Sequence, residues 1–312
     1  MSKRASSLQR QASRHVIRQV SRSLWRFLKT HPKLIGVALL IALAVYGYEV
    51  QFARPAMAFE GVPKHQAWSD SLTTRIMRNE AFMVGYSETL GNPLWVSYQV
   101  LPKSDNPARL PRPDRFNADW RSARCWLLLP CINHDDYTGS GYDRGHMAPN
   151  HVIATRYGQT AQHQTFLMTN ITPQKPDLNR KAWQRLEEIA ANNLADKHAP
   201  FWVVTGPIFD AQPDYLPGAK RIAIAHAFYK IFIRPRAAGE PPMVLAFILP
   251  QAVKGNEDLR QFLTSVREIE QQTGLDFFHQ LDDGVETYIE TLIAPEEWGF
   301  DRALATRKAR YD

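Results

Sequence analysis

Hydrophobic and polar positions along this chain follow three rhythms. The first is an unbroken run: LIGVALLIALAVYGY, Leu34 to Tyr48, carries no charge. It predicts a transmembrane helix over residues 34–50, although its fifteen residues fall short of the roughly 20 that usually span a bilayer. Tyr46 and Tyr48 stand where interfacial aromatic residues do. The second rhythm is short apolar or alternating runs rich in aromatic and β-branched residues, which predict strands. PLWVSYQVL (Pro93–Leu101), FWVVTGPIF, AHAFYKIFI and MVLAFILP are of this kind. CWLLLP reads as a short buried strand, and TFLMTNITPQ (Thr165–Gln174) as a strand ending at Pro173.

The third rhythm is helical. In DLNRKAWQRLEEIAANNLADK, the residues Ala182, Trp183, Leu186, Ile189, Ala190 and Leu194 recur at helical spacing. NEDLRQFLTSVREIEQQTGL predicts a last helix closed by Gly274. SDNPARLPRPDRFNADW, proline-rich and polar, predicts a long surface connection. Strands and helices mix without regular β-α-β alternation. The predicted class is therefore α+β, a mixed or antiparallel central sheet with helices on its faces, and not a doubly wound sheet. The organisation that follows is a basic N-terminal segment (1–33), a transmembrane anchor (34–50), a connecting stretch (51–67) and one folded domain (68–312).

Charge changes the picture of partners. The chain carries 38 Lys and Arg against 31 Asp and Glu, a net charge of +7 that would ordinarily point to a polyanion. Nine of those cations and one acid, Glu49, lie in the first fifty residues, so the remainder holds 29 cations against 30 acids. The basicity belongs to the leader and is no evidence for nucleic-acid binding by the domain. Cations crowded before the apolar run predict the N-terminus inside and the domain outside. That describes a single-pass protein of a bacterial inner membrane facing the periplasm. The Arg- and Ser-rich, acid-free leader also fits a mitochondrial presequence, with the domain then in the intermembrane space. AMA at Ala56–Ala58 offers a cleavage pattern, but well beyond the apolar run.

The only cysteines are Cys125 and Cys131. An extended CWLLLPC would hold them roughly 20 Å apart, too far to bridge. A bend at Pro130 would permit a disulfide, and an outside compartment would preserve it. Both outcomes stay open. A zinc site from these cysteines with His134 and His146 matches no common ligand spacing.

Candidate chemistry gathers around SGYDRGHMAPN, Ser140 to Asn150. Asp143, Arg144, Gly145 and His146 side by side make poor core, and they read as a surface turn that aims a histidine, Gly145 letting the backbone approach closely. On the helix that follows, Asn179, Trp183 and Glu187 are four apart and project from one side. Phosphodiester hydrolysis needs a base near neutral pH, a cation on the phosphate, and fixed positive charge where charge develops. His146, a Mg²⁺ held at Asn179, and Arg144 would supply the three.

YDRGHMAP followed by MTNITPQKPDLNRKAWQRLE resembles the DNA/RNA non-specific endonucleases of the ββα-metal class, the family of endonuclease G and of secreted bacterial nucleases with a DRGH motif. The resemblance continues in VVTGPIF, FYKIFI, AFILP and VREIEQQTGLDFF, from about residue 59 to 281. It implies a ββα-metal motif with His146 as general base and Asn179 as the one direct protein ligand of a single Mg²⁺, with Mn²⁺ able to substitute. Glu187 would hold a metal-bound water, Arg144 would steady the phosphate or the loop, Asp143 would brace the turn beside Gly145, and Asn170 would support the site. The chain departs from the family in one respect. Some members carry an Arg about a turn beyond the helix glutamate, and EEIAANNLADK has none before Lys197. NHDD (Asn133–Asp136) reads as loop solvation despite its ligand-like composition, and His151 and His163 have no partner at a recognisable spacing.

The expected function is a membrane-anchored, metal-dependent endonuclease on DNA and RNA with little sequence or sugar specificity. The alternatives are a phosphodiesterase on another polyanion and a catalytically silent binding module. A homodimer and a protein inhibitor stay open.

Overall fold

The computed structural model describes residues 29–105, 110–127 and 129–309, so most of the basic segment 1–33 lies outside the described residues. The chain divides into two units, Met1–Ala53 and Arg54–Asp312. In the first, helix α1 (Pro32–Tyr48) has no buried residue. Helical backbone continues past it, so the apolar helix runs from Pro32 to Met57, 26 residues, and its most apolar 18-residue window has a mean hydropathy of 1.8. At about 1.5 Å per residue it is long enough to cross the ~30 Å hydrocarbon layer. The fifteen uncharged residues alone understate it, because the helix extends through flanking polar positions. By length and composition it can cross a membrane, as a signal sequence also can.

The second unit is α+β, as expected, and its sheet is wholly antiparallel. Its longer strands and those at the site are β1 (Thr74–Arg78), β2 (Phe82–Ser87), β3 (Asn92–Val100), then, after a separate ladder of β4 (Asp143–His146) and β5 (Ile171–Gln174), β6 (Phe201–Ile208), β7 (Ala227–Arg234), β8 (Met243–Pro250) and the short edge strand β9 (Leu263–Thr264). Seven of them pair in the order β9-β8-β7-β6-β3-β2-β1. The two-residue period divides each strand between two cores. On one face Phe82, Val84, Val96, Tyr98, Phe201, Val203, Phe228, Phe232 and Phe247 pack with the helices near the site. On the other, Met83, Trp95, Val204, Tyr229, Ile231 and Val244 pack against helix α5 (Val266–Thr273) and helix α6 (Asp283–Thr291). Gly85 is needed here, since a Cβ at that position would collide with the Trp95 ring across the ladder.

Between β4 and β5 lie two short helices, α2 (Asn150–Tyr157) and α3 (Gln159–Thr165). After β5 comes helix α4, continuous over residues 178–198 with wider π-type turns at Leu178–Trp183 and Ile189–Leu194. It presents Trp183, Leu186, Ile189, Ala190 and Leu194 to the sheet, as its periodicity predicts.

Three expectations are corrected. CWLLLP is not a buried strand: Ala123–Trp126 form one helical turn, Trp126 and Leu127 are exposed, and Cys125 and Cys131 are disulfide-bonded with 5.0 Å between their Cα atoms. An apolar run does not distinguish a strand from an exposed bend, and here the helical turn and the bend bring the sulfurs together. The last helix begins only at Val266, capped by Ser265, because Leu259–Phe262 form a separate turn and Leu263–Thr264 join the sheet edge. Gly274 does close it, at φ 66°. TFLMTNITPQ is a strand only over Ile171–Gln174, which runs through Pro173.

Candidate active site

DRGH is not a turn. Residues 143–146 form β4, paired antiparallel with β5 so that Asp143 faces Gln174 and His146 faces Ile171. The strand's alternation separates four sequence neighbours into two pairs: Arg144 and His146 on one face, Asp143 and Gly145 on the other. Gly145 is required by the partner strand, because a Cβ there would meet the buried side chain of Gln174. The close approach read from the sequence is therefore to a neighbouring strand.

β4 and β5 converge with α4 on a cavity of about 370 Å³ lined by Arg112, Arg144, His146, Asn179, Arg180, Trp183, Glu187 and Ala191, among others. His146 is half-buried, its ring held between Phe116 and Phe166 at centroid distances of 5.2 and 5.0 Å. Its Nε2 is sealed from solvent and has no hydrogen-bond partner, which leaves Nδ1 as the ring nitrogen open to the cavity. Burial first, and Arg112 second, push its pKa down to about 3. Burial thus favours the neutral form of the imidazole.

Asp143 organises the opposite wall. Its Oδ2 accepts from Asn179 Nδ2 at 3.0 Å and Arg180 Nε at 2.8 Å, and its Oδ1 accepts from Arg180 Nη2 at 2.6 Å. With the amide nitrogen engaged, Asn179 is left with its Oδ1, a good oxygen ligand, for the cavity. Arg144 is spent on the neighbouring loop. It donates from Nε and Nη2 to the His134 carbonyl (3.1 and 2.7 Å) and from Nη2 to Thr138 Oγ1 (3.1 Å), and lies over the Tyr137 and Phe116 rings. Asn170 is fully buried behind the site, where its amide ties the Ala148 backbone and the Thr165 carbonyl. It does not line the cavity.

Glu187 reaches the cavity floor. Its Oε1 is buried without a hydrogen bond, and the nearest cation is Lys230 Nζ at 3.6 Å. Lys230 is completely buried, with its ammonium 4.3 Å from the Trp183 ring centroid. Burial pushes the Glu187 pKa up and the Lys230 pKa down, each opposed by the other's charge. A charged pair is expensive to desolvate and persists only where both charges are compensated. Lys230 was not anticipated, yet AFYKIFI carries a signal. Alternation puts this lysine on the same face as Phe228 and Phe232, where a charge needs a partner. Arg112 and Arg180 were missed too: one sits in the proline-rich connection and the other on a helix, and only the fold shows both at the cavity. Ala191 lines the wall four residues after Glu187, one turn further along the helix. Arg112 and Arg180 supply positive charge from elsewhere.

The donor set suits a hydrated Mg²⁺: one neutral amide oxygen and a carboxylate oxygen still lacking a partner, with no thiolate or imidazole cage among the described residues. NHDD makes no such site. Asp136 bonds Arg221 and the Asn133 backbone, and Asp135 bonds Arg115. His163 is outside the cavity, and His151 lies on its rim.

A two-stranded ladder and the helix after it, which bring a histidine and an asparagine to one cavity, form the ββα arrangement. The DNA/RNA non-specific endonuclease family matches residues 68–284, and the chain belongs to that family. It is 29% identical to a nuclease of Nostoc sp. over 278 residues, 83% of this chain and 97% of that protein. With human mitochondrial endonuclease G it shares 30% identity over 218 residues, 65% of this chain and 69% of that protein. With a nuclease of Serratia marcescens it shares 32% over 221 residues, 66% and 76% of the two. The crystal structure of the EndoG/EndoGI complex superposes with a TM-score of 0.58 at 22% identity, over 74% of this chain and 91% of that one, a likeness of fold.

Proposed function

We propose that this protein is a Mg²⁺-dependent endonuclease that hydrolyses DNA and RNA phosphodiesters with little sequence or sugar specificity. Family membership supports nuclease chemistry. The observation that carries the finer reading is the cavity lined by both His146 and Asn179, with the Asn179 amide oriented by Asp143. His146 accepts the proton of the attacking water at Nδ1. Arg112 and Arg180 attract and hold the phosphate backbone, whose charge must be met locally because the domain is near neutral. Asn179, with Glu187 beside it, would hold Mg²⁺, which would supply neutralisation of phosphate charge. Mn²⁺ substitutes for it. Asp143 fixes Asn179, Arg144 and Asn170 hold the surrounding backbone, and the Lys230 charge opposes the burial that pushes the Glu187 pKa up.

The chain is anchored by the apolar helix with its N-terminus inside and the nuclease domain outside, in the periplasm. The cation-rich leader supports this topology, as does the Cys125–Cys131 disulfide, which belongs in an oxidising compartment. The test incubates the full chain with plasmid and with RNA, each with Mg²⁺, with Mn²⁺ and with chelator. Cleavage of both polymers that needs metal and is lost in His146→Ala is expected. Cleavage that survives chelation, or survives the substitution, overturns the assignment.

A further inference from the structure

Away from the catalytic cavity the second unit leaves an apolar surface uncovered. Trp126 (68% exposed), Leu127 (70%) and Leu129 (48%) stand on the loop that the Cys125–Cys131 disulfide closes, and Trp120 in the same segment is 70% exposed. The loop's base is fastened. Glu88 accepts from the Ala123 backbone at 2.6 Å and from Ser122 Oγ at 2.9 Å, and Arg121 donates to the Arg78 carbonyl and to Asn79. The apolar tip is therefore held outward by a rigid base. It lies at the sheet's edge strand β1, where the Arg75 guanidinium stands 6.0 Å from the Trp126 ring centroid. Leu72 (69% exposed) is three residues before Arg75, and Trp68 (76%) lies in the helical turn leading into β1.

Six large apolar side chains on two adjoining segments exceed the scattered exposure normal for a soluble surface. Tryptophan and leucine beside the exposed Arg75 and Arg78 form the combination that suits a bilayer's interfacial zone. The chain itself brings that bilayer within reach. The helix able to span a membrane ends at Met57, and the chain that follows is held on the second unit, where Ser97 Oγ donates to the Met57 carbonyl and Lys64 and His65 pair with Asp276 and Leu275. A covalent link that short to a spanning helix keeps lipid at high effective concentration around the domain. We propose that the disulfide-closed loop, with Trp68 and Leu72, docks the nuclease domain onto the lipid bilayer. This rests on reading the apolar helix as a retained anchor.

The experiment places a photo-crosslinking residue, Leu127→p-benzoylphenylalanine, in the full-length protein in its own membrane, with Tyr288→p-benzoylphenylalanine on α6 as the control. Retained nuclease activity in both checks folding, since neither position lines the cavity. Illumination is expected to add the mass of one phospholipid to the peptide holding residue 127 and none to that holding residue 288. A crosslink from 127 to a second copy or to another protein overturns the proposal. So does the absence of a lipid adduct while the chain resists alkaline carbonate extraction. A chain that carbonate releases overturns the anchor reading instead. The surface is then decided by illuminating that chain on phosphatidylglycerol vesicles, where a lipid adduct upholds it and none overturns it. Independently, brominated phosphatidylglycerol should quench tryptophan fluorescence, and Trp126→Phe should reduce that quenching; an unchanged value counts against docking.

Discussion

Two groups of buried ionisable side chains sit on opposite faces of the same sheet. On one face, Glu187 and Lys230 lie beneath His146 and Asn179; on the other, Glu270, Glu290 and Asp276 gather around α5 and α6 with Arg267. By carboxylate density the second group is the better metal site, since its three acids can bring oxygens within 4.8 Å of one another. Yet nothing there lacks a partner. Glu290 accepts from Arg267 at 2.6 Å, Glu270 accepts from the Phe277 backbone at 2.9 Å, and Asp276 pairs with Lys64 at 3.1 Å. The first group opens on a cavity and leaves the His146 Nε2, Glu187 Oε1 and Lys230 Nζ atoms without hydrogen bonds. Fully satisfied charges hold a fold together, whereas unsatisfied ones beside a cavity are available to a ligand.

Substitutions should separate the two faces. His146→Ala should lower kcat about 10²–10⁴-fold, the usual share of a general base, with little change in Tm because Nε2 bonds nothing in the native state. A single-turnover assay on supercoiled plasmid alongside a melting curve reads both, and a loss below tenfold would remove His146 from the mechanism. Lys230→Met strands the Glu187 charge and should cost about 3–5 kcal/mol in denaturant unfolding. Adding Glu187→Gln should restore most of that stability without restoring cleavage. Arg267→Met should destabilise in the same sense on the other face, yet leave kcat per folded molecule unchanged. If it lowers kcat as much as Lys230→Met does, the division between the faces fails.

A smaller effect is expected from Asp143→Asn. Releasing the brace on Asn179 and Arg180 should raise the Mg²⁺ concentration needed for half-maximal rate by about 10-fold or more, in the range of outer-shell partners. An unchanged metal titration would leave Asp143 no part in positioning. The smallest effect is in pH. His146 has a lowered folded pKa, so the unfolded chain binds more protons and stability falls as pH drops from the ordinary histidine range towards about 3. Glu270 and Glu290 are raised, chiefly by burial, so their contribution is present at low pH and lost as pH rises through their raised values. In Tm-against-pH curves, His146→Ala should flatten the acid side and Glu290→Gln the alkaline side; the reverse pairing would contradict both assignments.

Much of the fold was legible because its signals are local. Alternation in AFYKIFI and MVLAFILP marks strands buried on both faces, and the Trp183–Leu186–Ile189–Ala190–Leu194 stripe marks the helix that covers one of them. CWLLLP misled because an apolar run fixes neither conformation nor burial, and DRGH because its strand character comes from pairing with Ile171–Gln174, over twenty residues away. The site divides the same way. His146, Asn179 and Glu187 stood out through motif and helical spacing. Arg112, Arg180, Lys230 and the Phe116–Phe166 clamp come from four separate stretches and meet only when the sheet, ladder and helix assemble.

By itself, the sequence determined the apolar helix, the α+β class, the family and the identity of the residue types that carry the chemistry, since all of these follow from composition, period and spacing along one dimension. The tertiary structure decided what each of those groups is able to do. Burial pushes the His146 pKa down, Asp143 turns the Asn179 oxygen towards the cavity, Arg144 is committed to a loop, and a lysine from the central sheet stands under Glu187. Protonation and orientation depend on what surrounds a group in space, and those neighbours come from distant parts of the chain.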